Sequence, residues 1–382
     1  MMQVCQIKSI EQFDQLKTNW ETVYSADPHA HIFVSWVWLR GWFEITPYPW
    51  LVLAVRKDDT SPYVAFFPLT IRALRIFGLS LIRVLRMGGR PLAYYTGFVC
   101  LPECEEEAMA ALVAHVQQEM RWDSFQIEDM LDRRLDTFLA RFPGKEFDIQ
   151  RSNSMPSLYI PLPASWDSYL QDSLGSRTRK NLRRALKGID EGAGLCMTST
   201  QTDRVDRDID ILLMLWQQRW GPKPMAAWHR GLLRHLFENG CLFLNVLWNG
   251  AAPVAARAGL IDHHKKTFYG YIICHDEKYA RLSPGTALVG HSIRYAIENG
   301  FRAYDFLVGA DNHKLSFGAK QRSTQIAIIA RKSLRSRVAN ALLNLIELVG
   351  DSLKKALGKI KRTRLARQIW SRVSAQFKRV RQ

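Results

Sequence analysis

YARLSPGTALVGHSIRYAIENGFRAYDFLV, residues 279–308, is the stretch on which the fold turns. Ser283 reads as an N-cap, with Pro284 at the first helical position, where its missing N–H is not needed for helix bonding. Apolar periodicity carries the helix to Asn299, and Gly300 is a suitable C′ stop. AYDFLV follows at once as a strand. A strand–helix–strand unit with so tight a linker predicts a right-handed parallel crossover. Upstream, CLFLNVLW, the turn Asn249-Gly250, PVAARAGLI, a second turn at Asp262-His263-His264-Lys265 and KTFYGYII read as an antiparallel three-strand meander over residues 242–273. Residues 204–220 and 225–239 before it read as helices. The second half is therefore a mixed sheet covered by helices.

The first half repeats this order more weakly. Residues 9–26 and 35–46 read as helical, and WLVLAVR and YVAFFPLTI form a hairpin around residues 57–62. A helix over 104–121 precedes the strand DSFQIED, as 284–299 precedes AYDFLV. The likeness is of element order, with little residue identity. It predicts an α/β fold (an α+β mixed sheet) in tandem lobes. Residues 1–150 form a degenerate first lobe, 151–332 the active second lobe and 333–382 a basic amphipathic helical tail. Residues 143–165, rich in Pro and Ser, are the expected linker.

The chain has 382 residues and 47% hydrophobic content, enough for packed interiors, which excludes global disorder. No apolar run reaches the ~18 residues of a membrane span, and the start MMQVCQIKSIEQFDQ lacks a signal-peptide pattern, so a cytoplasmic location is expected. Six scattered cysteines show no zinc-ligand spacing and read as reduced thiols; neither a metal nor a permanently bound cofactor is expected.

The net charge of +17 is concentrated at one end. Residues 331–382 hold 15 Lys and Arg against Glu347 and Asp351, a net of +13, leaving +4 on the other 330 residues. The body is thus no general nucleic-acid binder, and DNA is not an expected partner. In the tail, Leu334, Val338, Leu342, Leu345 and Val349 begin an apolar stripe among basic faces. That layout suits a helix lying on an anionic membrane surface, with docking on protein as the competing reading.

The helix start at RLSPGT supplies unpaired amides and the positive end of a dipole, which favour a phosphate or carboxylate. Gly285 permits close approach, the Ser283 and Thr286 hydroxyls add hydrogen bonds, and Arg281 adds a mobile charge. Asp305, in an apolar strand, is the leading candidate base, since burial raises a carboxyl pKa. His275 and Glu277, in the loop before the helix, are further acid–base candidates. Alternation puts Tyr304 on the face opposite Asp305. Lys314 is placed to stabilise an oxyanion or bind a substrate phosphate. SRTRKNLRRALK, residues 176–187, lines up Arg179, Lys180 and Arg183 on helical stripes that call for an anionic counterpart: a nucleotide, a tRNA backbone or a lipid headgroup.

Tyr279-Ala280-Arg281, Ser283-Pro284-Gly285, Tyr304-Asp305-Phe306, Gly309, Lys314, the basic helix and Pro68-Leu69 together resemble the GNAT-like domain of the CelD/BcsL group, over roughly residues 8–330. That group is associated with cellulose or exopolysaccharide synthesis and is related in architecture to the FemAB-type transferases, which carry tandem GNAT-like lobes. The resemblance implies transfer of an acyl group to an amine or hydroxyl acceptor, such as a sugar or amine precursor. Acyl-CoA would be the co-substrate, its pantetheine lying where two parallel strands splay and the acceptor attacking directly. The GNAT phosphate signature is Arg/Gln-x-x-Gly-x-Gly/Ala. Arg281 fits its first position, whereas Pro284 and Thr286 replace the later small residues. FemAB-type relatives use aminoacyl-tRNA instead, so that donor stays open. So does a catalytically silent scaffold for polysaccharide machinery at the membrane.

Overall fold

Two mixed β-sheets, each covered by helices, make up the protein in this computed structural model, which describes residues 2–76, 79–131, 133–190, 195–221, 225–309 and 312–333. The chain runs β1 (Gln3–Ile7), α1 (Ile10–Gln15), α2 (Lys17–Ala26), α3 (Trp36–Ile45), β2 (Trp50–Arg56), β3 (Tyr63–Ile76), β4 (Leu79–Met87) and β5 (Val99–Cys100). There follow α4 (Glu105–Gln118), β6 (Ser124–Met130), α5 (Arg134–Ala140), β7 (Phe147–Asn153), β8 (Ser157–Pro161), α6 (Trp166–Ser168), α7 (Ser176–Asp190) and β9 (Cys196–Ser199). The last part comprises α8 (Val205–Trp220), α9 (Ala226–Glu238), β10 (Leu242–Asn249), β11 (Ala252–Asp262), β12 (Thr267–His275), α10 (Pro284–Glu298), β13 (Ala303–Val308), α11 (Asn312–Ser316), β14 (Lys320–Arg322) and β15 (Gln325–Arg331).

The first sheet has the order β1-β2-β3-β4-β6-β15-β7 and the second β14-β8-β13-β12-β11-β10-β9. Both contain a meander followed by a helix and a parallel strand. β4 pairs with β6 in parallel over three residues and β12 with β13 likewise, and the remaining contacts in each meander are antiparallel. The expected repeat of element order is thus present as a tandem GNAT-like fold.

One strand crosses between the lobes, and another spans the expected boundary at residue 150. Residues 143–165 are not a linker: β7 straddles residue 150 within the first sheet, and β8 enters the second beside β13. β15, from the end of the second half, returns to the first sheet between β6 and β7. β7 and β15 escape a local reading because they pair with each other across a long separation in sequence. The calls on residues 333–382 lie outside the described residues, apart from Ser333. Among the described residues no helix is long and apolar enough to cross a membrane.

One apolar core binds the lobes together. Phe13, Trp20, Trp38 and Trp42 of the first half pack with Leu212 of α8, Leu232 and Leu236 of α9, and Ala256 and Leu260 of β11. Side chains of this size each contribute about 1.5–3 kcal/mol when fully buried, so the lobes form a single packed unit. On the other face of the second sheet, α10 buries Val289, Ile293 and Ala296, with α7 outside it. α7 buries only Leu182 and Leu186 and leaves its basic residues outward. It reaches α10 at Gly290, where an added Cβ would collide with Leu182. A glycine is required there for packing, not for backbone freedom.

Candidate functional site

β12 and β13 pair only at Thr267–Ala303, Phe268–Tyr304 and Tyr269–Asp305, and then part. Beyond Tyr269 the β12 edge toward β13 therefore has no ladder partner. A kink keeps the strands apart: Leu307 has φ +63° and Gly309 φ +111°. A cavity of about 990 Å³ occupies this gap. It runs from the start of α10, at Ser283 to Thr286, past Gly270 and Phe306, to a far side formed by α8, α9 and residues 90–94 of the first lobe.

The α10 start keeps most of its expected form. Ser283 holds the cap position in a left-handed conformation (φ +53°, ψ +44°), and its side chain makes no capping bond. A non-glycine residue in that region costs about 1–3 kcal/mol, and such strain clusters at ligand sites. The Ala287 amide bonds the Ser283 carbonyl at 3.2 Å, and Pro284 has no N–H, so the Gly285 and Thr286 amides are the helix's open donors. An added Cβ at Gly285 would meet nothing within 4 Å, so the approach is clear. Arg281 is exposed on the preceding turn and does not line the cavity.

The first lobe differs at the equivalent point. α4 opens with Glu105, Glu106 and Glu107, which suit the helix dipole but repel an anion. An anion is therefore disfavoured at the start of α4, in contrast to the start of α10.

The cavity wall is positive. Arg90, Arg219, Arg257, Lys314 and three histidines line it, and among the described residues no Asp or Glu does. Lys314 reaches it with Nζ donating to the Gly309 carbonyl at 3.0 Å and the Val308 carbonyl at 3.3 Å. His275 lines it as well, its Nδ1 3.2 Å from Arg219. Glu277 lies 3.6 Å from His275 Nε2 but points into solvent outside the cavity.

Asp305 requires a correction as the candidate base. Its carboxylate faces away from this cavity, into a recess of about 370 Å³ with Tyr159 and Arg322. One oxygen accepts from the Tyr95 hydroxyl (2.9 Å) and the Leu307 amide (2.7 Å), and the other is paired with Arg322. Burial raises its pKa and the Arg322 guanidinium opposes the rise. Both oxygens are thus committed to partners at the kink of β13, and the carboxylate lies outside the cavity. Tyr304, on the opposite face as expected, is buried beneath α10, where its hydroxyl meets Ser292 at 2.9 Å and accepts from Arg257.

Arg179, Lys180 and Arg183 do not enter the cavity either. Lys180 and Arg183 are exposed on α7, and Arg179 donates to the Leu174 carbonyl at 3.3 Å. They flank α10 from outside.

Two cavity residues carry signals the sequence reading passed over. His229 of α9 lines the far side, with its ring against Trp216 and Tyr271 at centroid distances of 5.2 and 5.9 Å. Its Nδ1 donates to the Met225 carbonyl at 2.9 Å, which leaves Nε2 as the acceptor nitrogen. Burial lowers its pKa from the usual 6.5, so the ring is neutral at pH 7. Its clue was its spacing: it shares the apolar stripe of Leu232, Leu233 and Leu236. Arg257 is the other, an arginine inside the apolar run PVAARAGLI.

Comparison with known proteins agrees with this architecture. Residues 176–315 match the acetyltransferase (GNAT) domain family, and this segment contains the helix start, the gap and His229. The crystal structure of FemX is similar over 85% of this chain and 96% of that one, at 12% identity and a TM-score of 0.60. So is the C-terminal domain of an Agrobacterium fabrum protein described as a lysylphosphatidylglycerol synthetase, over 89% and 97%, at 12% identity and 0.54. The L-PGS structure from Bacillus licheniformis matches over 87% and 96%, at 9% identity and 0.54. At these identities the likeness is one of fold. No curated protein sequence matches the chain.

Proposed function

We propose that the protein is an N-acyltransferase that takes an acyl group from acyl-CoA. One observation carries this reading: a single cavity joins the open amides of α10 to the neutral imidazole of His229 through the gap between β12 and β13. The donor's pyrophosphate would rest on Gly285 and Thr286, with Ser283 and Lys314 beside it. Its pantetheine arm would follow the unpaired edge of β12. The acceptor amine attacks the thioester carbon from the far side, the C–S bond breaks, and His229 Nε2 takes the proton that the amine sheds. The departing CoA thiolate is protonated from solvent.

Trp216, Tyr94 and Tyr271 give the acceptor side an aromatic wall suited to the apolar face of a sugar ring. Together with the likeness to the CelD/BcsL group, this favours a sugar or amine precursor of exopolysaccharide or envelope polymers. Residues 333–382 would hold the enzyme at an anionic membrane face. Isothermal titration with CoA, acetyl-CoA and longer acyl-CoAs tests the donor. Binding by the wild type that Gly285→Arg abolishes is the expected result; equal affinities, or no binding to either, refute the acyl-CoA reading.

The exposed basic face of α7, which packs along α10, favours a second reading, aminoacyl-tRNA as donor. Salt-sensitive tRNA binding and co-purifying RNA would support it. RNA-free protein that shifts no tRNA at low salt rejects it.

A further inference from the structure

Arg257 is a buried cation whose charge no side chain in the described structure answers. It is 2% exposed, and no carboxylate pairs with it among the described residues. Its Nη2 donates to the Tyr304 hydroxyl, which passes its own proton toward Ser292, whose hydroxyl in turn donates to the Val289 carbonyl. Nε is buried without a partner. Burying a guanidinium with one neutral phenol for company is costly, and such a group persists where a ligand supplies the missing charge.

Its position is specific. Arg257 lines the cavity at the root of the gap, where Gly270 and Phe306 are the first residues beyond the last paired positions. An added Cβ at Gly270 would collide with the guanidinium, so the glycine makes room for it. Ser292, which shares the Tyr304 hydroxyl, lies about two turns along α10 from the Gly285 and Thr286 amides proposed to hold the pyrophosphate, about 10 Å along the axis. The cation is therefore not part of the phosphate cradle. With the pyrophosphate on that cradle and the pantetheine arm along β12, the acyl end of the proposed donor would come to the root of the gap, beside Arg257.

We infer that Arg257 selects donors whose acyl group ends in a carboxylate, that is, dicarboxylic acyl thioesters of the succinyl or malonyl type. The guanidinium offers a planar pair of donors that matches a carboxylate and finds no equivalent in a plain acetyl group. This inference rests on the acyl-CoA reading above.

The test is isothermal titration of the full chain with CoA, acetyl-CoA and succinyl-CoA. The wild type should bind succinyl-CoA about ten-fold more tightly than acetyl-CoA, the worth of one charge-assisted contact. In Arg257→Met that ratio should fall to about one, and Arg257→Lys should keep part of it. The wild-type ratio is read first, so a variant that fails to fold leaves the inference open to refutation. If CoA binds but the wild type does not discriminate, or if Arg257→Met still does, this inference alone is overturned. If no CoA species binds, the donor reading falls and takes the inference with it.

Discussion

Replacing Asp305 separates a brace from a base. In Asp305→Asn the amide oxygen still accepts from Leu307 and Tyr95, whereas the charge opposite Arg322 disappears. Breaking a fully buried ion pair costs about 3–5 kcal/mol. The Arg322 side chain is 35% exposed, and solvent screening cuts the loss to about 2 kcal/mol. Asp305→Ala also strands the Leu307 N–H and the Tyr95 hydroxyl, adding about 1–3 kcal/mol. The expected fall in melting temperature is about 5 °C for Asn and clearly more for Ala. Because the carboxylate lies outside the main cavity, CoA affinity measured on the same samples should change less than three-fold. Thermal denaturation at pH 7.5, run beside calorimetric CoA titration, reads both. An Asp305→Asn protein with unchanged melting temperature and abolished turnover would show that this carboxylate is the base after all.

Three further outcomes follow from the same geometry. His229→Gln should lower kcat/KM by about 10²–10⁴-fold. Because burial holds the imidazole pKa below 6.5, the wild-type rate should stay flat from pH 8 to 6.5 and fall only below that, a limb the variant lacks in a stopped thiol-release assay. Gly290→Leu, which drives a side chain into Leu182 where α7 meets α10, should lower stability by about 1–3 kcal/mol by chemical denaturation; an unchanged midpoint would contradict the close packing. His31 is buried with a pKa of about 3 and His291 is lowered to about 4, so between those values and 6.5 the unfolded chain binds more protons. Stability should therefore rise with pH across that window, and His31→Phe should flatten the acid side of a melting-temperature profile.

The core of the second lobe was legible because its signals are local. Asn249-Gly250 set one hairpin, and Ser283-Pro284 and Gly300 bounded a helix that the structure ends at Glu298. The parallel contact of β12 with β13 followed from connection length. β15 was not legible as an exchanged strand, since its partners lie up to about two hundred residues away and nothing in QIAIIAR names β6 or β7 as its neighbour. Alternation gave the opposition of Tyr304 and Asp305 correctly. It could not say which face holds the cavity, because α10 lies over one side and the first lobe over the other. His229 and Arg257 were visible as polar residues on apolar patterns. Their meaning came only when the gap brought both to one space.

The return of β15 to the first sheet has a consequence for how this molecule can be divided. A fragment ending at residue 150 keeps neither the whole of β7 nor β15, and one beginning there carries β15 with its sheet partners missing. Each half, made alone, would present bare strand edges inviting aggregation. The duplicated lobes are therefore obliged to be synthesised, inherited and folded together. Ser333 lies two residues beyond β15, so the chain leaves the described structure from the first sheet, although its preceding strands built the second.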